Sequence, residues 1–140
     1  MTEPCSGEFT YDMIMWIDSD ISWTPADFFK LYNSKKEIIS GCYLMEDRHV
    51  PVYNQPRGGM LPEDGVYTYS KPFQIAGCGF GFLAVKSGVF EKMPRPWFGP
   101  ESIWCDPNVR VIHQKTFQLH WKDEMGVQNV GPSIDRSSSK

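Results

Sequence analysis

Cysteine is sparse in this chain of 140 residues, and the four present stand far apart at Cys5, Cys42, Cys78 and Cys105. None forms a CxxC pair, which speaks against a zinc ribbon or a thioredoxin-like motif. Free thiols in a cytoplasmic protein are the simpler reading. Positive charge is not in excess, with 14 Lys+Arg against 17 Asp+Glu and a net charge of −3. A strongly basic nucleic-acid binder is therefore not expected, and no nucleic-acid partner is assigned. Long apolar runs are absent too. Met13 to Ile17 and Phe80 to Val85 are the most apolar stretches, far below the ~20 residues that cross a bilayer. Glu3 stands where a secretory leader would carry basic residues, so no signal peptide and no membrane span are expected. There is no internal repeat.

What is present fits one domain over residues 1–140, with a polar tail from about residue 126. Hydrophobic residues make up 41% and charged residues 22%, which suits a globular chain with a real core. Twelve glycines and eleven prolines imply many turns. Aromatics at 14% suit cores and ligand clefts alike.

Tyr11 to Ile17 (YDMIMWI) predicts a strand buried on both faces of a parallel or mixed sheet. A helix follows, with Thr24 as cap, Pro25 at its first position and Asp27 near its positive end. Phe28, Leu31 and Tyr32 fall at helical spacing. Glu37 to Leu44 predicts the next strand. Residues 46–65 read as a long loop or a pair of short strands. Val66 to Tyr69 and Pro72 to Ile75 read as short strands, and Phe82 to Val85 as another central one. Ser87 can cap a short helix reaching Glu91. Ile103 to Cys105 and Val109 to Ile112 read as two strands joined by a turn at Asp106-Pro107-Asn108. The fold class is α/β, a mixed sheet with flanking helices.

Asp18-Ser19-Asp20 ends the first apolar run. Residues i and i+2 of a strand share a face, so two carboxylates there repel unless a cation sits between them. Oxygen ligands suit Mg2+ or Mn2+. A solvated turn with an Asp cap is the plainer reading. His113 closes the run NVRVIH and could complete a mixed oxygen/nitrogen site, or simply be packed. Lys115, two residues on, could meet a phosphate or be an ordinary solvated lysine. Gly77, Gly79 and Gly81 have GxGxG spacing, which is neither a dinucleotide nor a P-loop signal. These glycines allow close approach of backbone to a ligand, or a bulge entering a strand. Trp97 and Phe98 lie between prolines as a stiff corner for a sugar ring or for the core. Glu101 is the carboxylate nearest that corner, a candidate general base.

In order along the chain, MWIDSDISWTPADFFKL, IISGCYLMEDRHVPVYN, AGCGFGFLAVKSGVFEKMPRPWF and IWCDPNVRVIHQKT together resemble the GT-A glycosyltransferases, which use nucleotide sugars. The resemblance covers residues 11 to 116 and implies a shortened GT-A architecture. It implies a metal-dependent transfer of sugar from a nucleoside-diphosphate sugar to a glycan, protein or small-molecule acceptor. Asp20 and His113 would hold Mn2+ or Mg2+, with Asp18 helping the ion or the nucleotide. Gly77, Gly79 and Trp97 would lie near the donor or acceptor sugar, Lys115 at the diphosphate, and Glu101 would be a remnant of the catalytic acid helix. A non-catalytic module that kept part of this fold is the alternative, and a metal-dependent phosphoesterase is a third reading. Only about ten residues precede the first strand, which predicts an exposed sheet edge and self-association into a homo-oligomer.

Overall fold

The computed structural model describes residues 10–92, 103–115 and 118–124. Cys5, Trp97, Phe98, Glu101 and the tail from 126 lie outside the described residues. The first apolar run forms β1 (Met13–Ile17), and β2 (Ile21–Ser22) follows a short turn. Helix α1 (Pro25–Tyr32) starts on a capping box: Thr24 caps the Asp27 N–H and Asp27 returns the bond to the Thr24 N–H. Next come β3 (Ile38–Cys42), β4 (His49–Val50), β5 (Val52–Tyr53), β6 (Leu61–Pro62) and α2 (Glu63–Val66). The chain continues with β7 (Phe73–Ile75), β8 (Gly77–Cys78), β9 (Phe82–Lys86) and α3 (Val89–Lys92). It closes with β10 (Ile103–Arg110), β11 (Ile112–Gln114) and β12 (Gln118–Leu119).

A five-stranded mixed sheet in the order β1-β9-β3-β10-β7 forms the centre. Only β3 and β10 run parallel; the other pairs are antiparallel. Alternation along β9 and β3 divides two cores. Phe82, Ala84 and Ile39 face Leu31 of α1, while Leu83, Val85 and Ile38 face Val89 and Phe90 of α3. The sheet is thus covered by helices on both faces, as its apolar strands predict. Residues 46–65 do contain a pair of short strands, β4 with β6, and a third, β5, that pairs with β8 beyond the stretch. Among the described residues, no helix is long and apolar enough to cross a membrane.

Three local expectations are corrected. The first strand is not central: β1 is an edge whose partner among the described strands is β9, and all five residues are only half-buried. Strand order is set by distant pairings, which an apolar run does not encode. Val66 to Tyr69 is not a strand but the end of α2 and the turn after it, where Tyr69 N–H reaches the Val66 carbonyl at 3.1 Å. The turn at Asp106-Pro107-Asn108 does not split two strands. Asp106 Oδ1 accepts from Asn108 N–H at 2.9 Å, but this becomes a bulge inside β10, between the Cys105 and Arg110 pairings with β3. Helix α1 itself forms as expected, with Leu31 its one fully buried residue and Tyr32 exposed, its hydroxyl on Asp12.

A second layer holds the end of the chain in place. Glu63 is 3% exposed and accepts from Arg48 Nε at 3.0 Å and Nη2 at 2.8 Å, from the Tyr67 hydroxyl at 2.8 Å, and from the Lys122 N–H. Arg48 also donates to the His120 carbonyl at 2.7 Å, and Trp121 Nε1 donates to the Val111 carbonyl at 3.2 Å. These bonds lock residues 119–122 beside β11. By contrast, the ion pair of Lys92 with Glu37 is largely exposed at both ends, and such pairs contribute at most ~1 kcal/mol. Glu63→Ala is therefore expected to lower unfolding stability by about 3–5 kcal/mol, against less than ~1 kcal/mol for Lys92→Ala. Urea denaturation of both variants checks the contrast.

Candidate active site

β1 stops at Ile17, and Asp18-Ser19-Asp20 forms a turn, closed by Ile21 N–H on the Asp18 carbonyl at 3.1 Å. The two carboxylates are therefore not successive same-face residues of a strand, because the strand has ended before them. Each is placed by a different neighbour. Asp18 N–H donates to the Gly81 carbonyl at 2.9 Å, tying it to the start of β9. The Asp20 carbonyl accepts from Gln114 N–H at 2.6 Å, continuing the β2–β11 ladder in which His113 opposes Ile21.

That ladder brings Asp20 to His113, 93 residues away in the chain: Nε2 stands 3.1 Å from Asp20 Oδ2. The imidazole is 5% exposed, and its Nδ1 stands 2.8 Å from the Leu44 carbonyl. Both ring nitrogens thus face oxygen acceptors. A neutral imidazole has one N–H to give. The arrangement is satisfied by a proton on each nitrogen, or by Nδ1–H on Leu44 with a cation at Nε2. Two adjacent ligands of an octahedral ion, each at ~2.1 Å, are themselves roughly 3 Å apart, which is the spacing of Nε2 and Oδ2. The donor pair therefore fits a hard or borderline divalent ion. Among the described residues, no group of three His, Cys, Asp or Glu side chains gathers closely enough to share one ion. Asp20 and His113 are brought together; Asp18 is held next to them by its backbone.

Lys115 Nζ lies 3.8 Å from Asp20 Oδ2 and is partly exposed. It puts a positive charge on the open side of the pair. Trp97 and Glu101, the candidates for sugar contact and general base, fall outside the described residues.

The glycine run takes a third role that its spacing did not reveal. A Cβ on Gly79 would stand 2.5 Å from the Tyr43 Oη, and one on Gly81 would stand 2.5 Å from Tyr43 Cζ. Gly79 and Gly81 are glycines because the Tyr43 ring occupies their side-chain space. A Cβ on Gly77 meets nothing within 4 Å. Tyr43 follows β3, is 7% exposed, and accepts the Gly81 N–H on its hydroxyl at 3.2 Å. Its ring meets the His113 imidazole edge-on with centroids 5.5 Å apart. Burial pushes the Tyr43 phenol up, and the Asp18 and Asp20 carboxylates push the same way, against the Gly81 N–H. Sequence reasoning missed this residue. One tyrosine after an apolar strand carries no pattern; its meaning comes from glycines more than thirty residues later.

Cys78, inside the glycine run, is a thiol pushed up to about 11 by burial and by Cys42, with Ser40 acting the other way. A raised value keeps the thiol protonated at neutral pH. Unfolded thiols ionise near 9.0. Cys78 therefore contributes stability that is complete below about pH 9 and fades as pH rises toward about 11. Iodoacetamide modification of native Cys78, read at its own peptide by mass spectrometry, should be slow at pH 8. It should then rise about tenfold per pH unit toward pH 11. A rate at pH 8 equal to that of the urea-unfolded chain would contradict the burial.

No family model and no curated protein matches the chain. Among solved structures, the crystal structure of A197 from STIV is similar at 20% identity, with a TM-score of 0.47, over 75% of this chain and 67% of that one.

Proposed function

We propose that the chain binds a nucleoside-diphosphate sugar through a divalent cation, Mn2+ or Mg2+, and acts as a metal-dependent glycosyltransferase of GT-A type. The observation that carries this reading is the His113 imidazole, capped at Nδ1 by a backbone carbonyl and facing the Asp20 carboxylate through Nε2. Asp20 and His113 would hold the ion. Divalent ions in phosphate-handling sites often take only one or two protein ligands and fill the remainder with phosphate oxygens and water, so this pair is a sufficient protein contribution. When bound, such an ion neutralises negative charge on a diphosphate leaving group.

The chain's own residues supply the rest of the chemistry. Lys115, exposed beside Asp20, offers a point charge to the diphosphate. The Leu44 carbonyl fixes the imidazole tautomer, leaving the Nε2 lone pair for the ion. Asp18, exposed at the start of the same turn, would meet a ribose or the ion's water shell. The mixed sheet, with the acidic turn at the end of β1, supports a shortened GT-A architecture. The unbonded thiols of Cys42 and Cys105, with sulfurs 3.3 Å apart, fit a reducing, cytoplasmic setting. Among the described residues β1 has a strand partner on one side, β9, and such an edge supports self-association.

Calorimetry with Mn2+ and a panel of nucleoside diphosphates tests the reading. Wild type should bind at least one diphosphate only when Mn2+ is present. Asp20→Ala and His113→Ala should each weaken Mn2+ binding by about tenfold or more. Lys115→Ala should leave Mn2+ affinity intact and weaken the diphosphate about tenfold. Absence of Mn2+-dependent binding for every common base defeats the proposal. Turnover of the matching nucleotide sugar, lost in Asp20→Ala, separates a transferase from a binding module that kept the same site.

A further inference from the structure

We infer that Tyr43 is the positioning residue of this site: its hydroxyl holds Gly81, Gly81 holds the Asp18 turn, and its ring braces the imidazole of His113. The inference rests on the site reading above and extends it to a residue that would act through His113 and Gly81 and would not itself hold the ion or the diphosphate. Three contacts carry it. The Tyr43 hydroxyl accepts the Gly81 N–H at 3.2 Å, and the Gly81 carbonyl in turn accepts the Asp18 N–H at 2.9 Å. One residue, Gly81, thus joins a buried phenol through its N–H and the first residue of the acidic turn through its carbonyl. The ring stands edge-on to His113 with centroids 5.5 Å apart, and its own position is fixed because it fills the side-chain space of Gly79 and Gly81. Gly79 is itself anchored, its N–H on the Pro51 carbonyl at 2.8 Å. Tyr43 therefore touches the glycine run on one side and the metal-ligand candidate on the other.

The physical consequence is a shared support, added to the Gln114 N–H on Asp20 and the Leu44 carbonyl on His113, for two groups that must agree in position. Ligating residues need to be held within about 0.5 Å of their working geometry. Asp20 lies two residues beyond Asp18 in a turn that has no strand partner on its β1 side among the described residues. Without the phenol oxygen, Gly81 N–H loses its acceptor, and the residue whose carbonyl holds Asp18 loses its anchor on a buried group, while the Gln114 N–H still holds Asp20.

Tyr43→Phe tests this, since phenylalanine keeps the ring that fills the glycine notch and faces His113. Two readouts are compared with wild type. In the metal-free protein, amide hydrogen exchange at Asp18 should quicken about tenfold while amides of the β3–β9 ladder stay protected. With Mn2+, affinity should fall about tenfold, as expected when an outer support of a ligand is lost. Unchanged exchange at Asp18 overturns the inference. Faster exchange with wild-type Mn2+ affinity also overturns it, because the turn would then move without consequence for the site. If wild type itself fails to bind Mn2+, the functional reading falls, and the exchange measurement still decides whether Tyr43 holds the turn. General loosening across both ladders would show a structural role only and would also count against positioning. Gly81→Ala, which forces a Cβ onto the same ring, should reproduce the Asp18 exchange effect from the other side of the contact.

Discussion

The imidazole of His113 has an oxygen acceptor on each nitrogen, the Leu44 carbonyl at 2.8 Å and the Asp20 carboxylate at 3.1 Å. That constraint organises this end of the molecule. A buried polar group left unmatched costs about 1–3 kcal/mol, so the fold must keep Leu44, Asp20 and His113 in register or supply another partner. Register comes from backbone ladders. β11 lies between β2 and β12, and the Gln114 N–H carries the β2 ladder one step further, onto Asp20. The ligand candidates are thus placed by strands and not by side-chain flexibility, which is what a preorganised site requires.

The Glu63 network has its purpose in the same frame. β11 and β12 are short, and short strands need support from packing. Arg48, Glu63 and Trp121 provide it by fastening residues 119–122 against the loops that follow β3. Arg48 takes a left-handed backbone with φ of 65° to do so. Such a conformation costs of order 1 kcal/mol in a residue with a side chain, and a buried, doubly bonded carboxylate offsets it. The exposed pairs, such as Lys122 with Asp64, are too weak to set the geometry.

What was legible in the sequence was local. The apolar runs of β3 and β9, the Thr24–Asp27 capping box and the punctuated stretch after residue 46 all announce themselves through short-range chemistry. The pairing of Asp20 with His113 was legible as two candidates of complementary type, though not as a turn meeting a ladder. What failed was non-local. Nothing in MIMWI says that a strand has one neighbour instead of two, because burial of a run reflects its neighbours' positions. Pro107 reads as a strand breaker, yet the bulge between Cys105 and Arg110 absorbs it. Tyr43 was invisible for the same reason. Its partners are Gly79, Gly81 and His113, and only the folded sheet puts them around one ring.

Burial divides the site into two halves with different work. His113 and Tyr43 are almost fully enclosed, whereas Asp20 and Lys115 are 42% and 34% exposed at their side chains. The enclosed half is rigid and fixes direction; the open half faces solvent and meets whatever binds. An ion held by one carboxylate and one imidazole keeps most of its coordination positions for outside oxygens. In water those positions go to solvent, so the ion alone would bind more weakly than it does beside a diphosphate. A diphosphate changes the balance, because its oxygens can share the ion while Lys115 meets its remaining charge. Each ligand then raises the affinity of the other by the same factor. In the proposed reading, a site of this composition would hold the ion and the diphosphate more tightly together than either one singly. On that reading the property would follow from having two protein ligands instead of three or four.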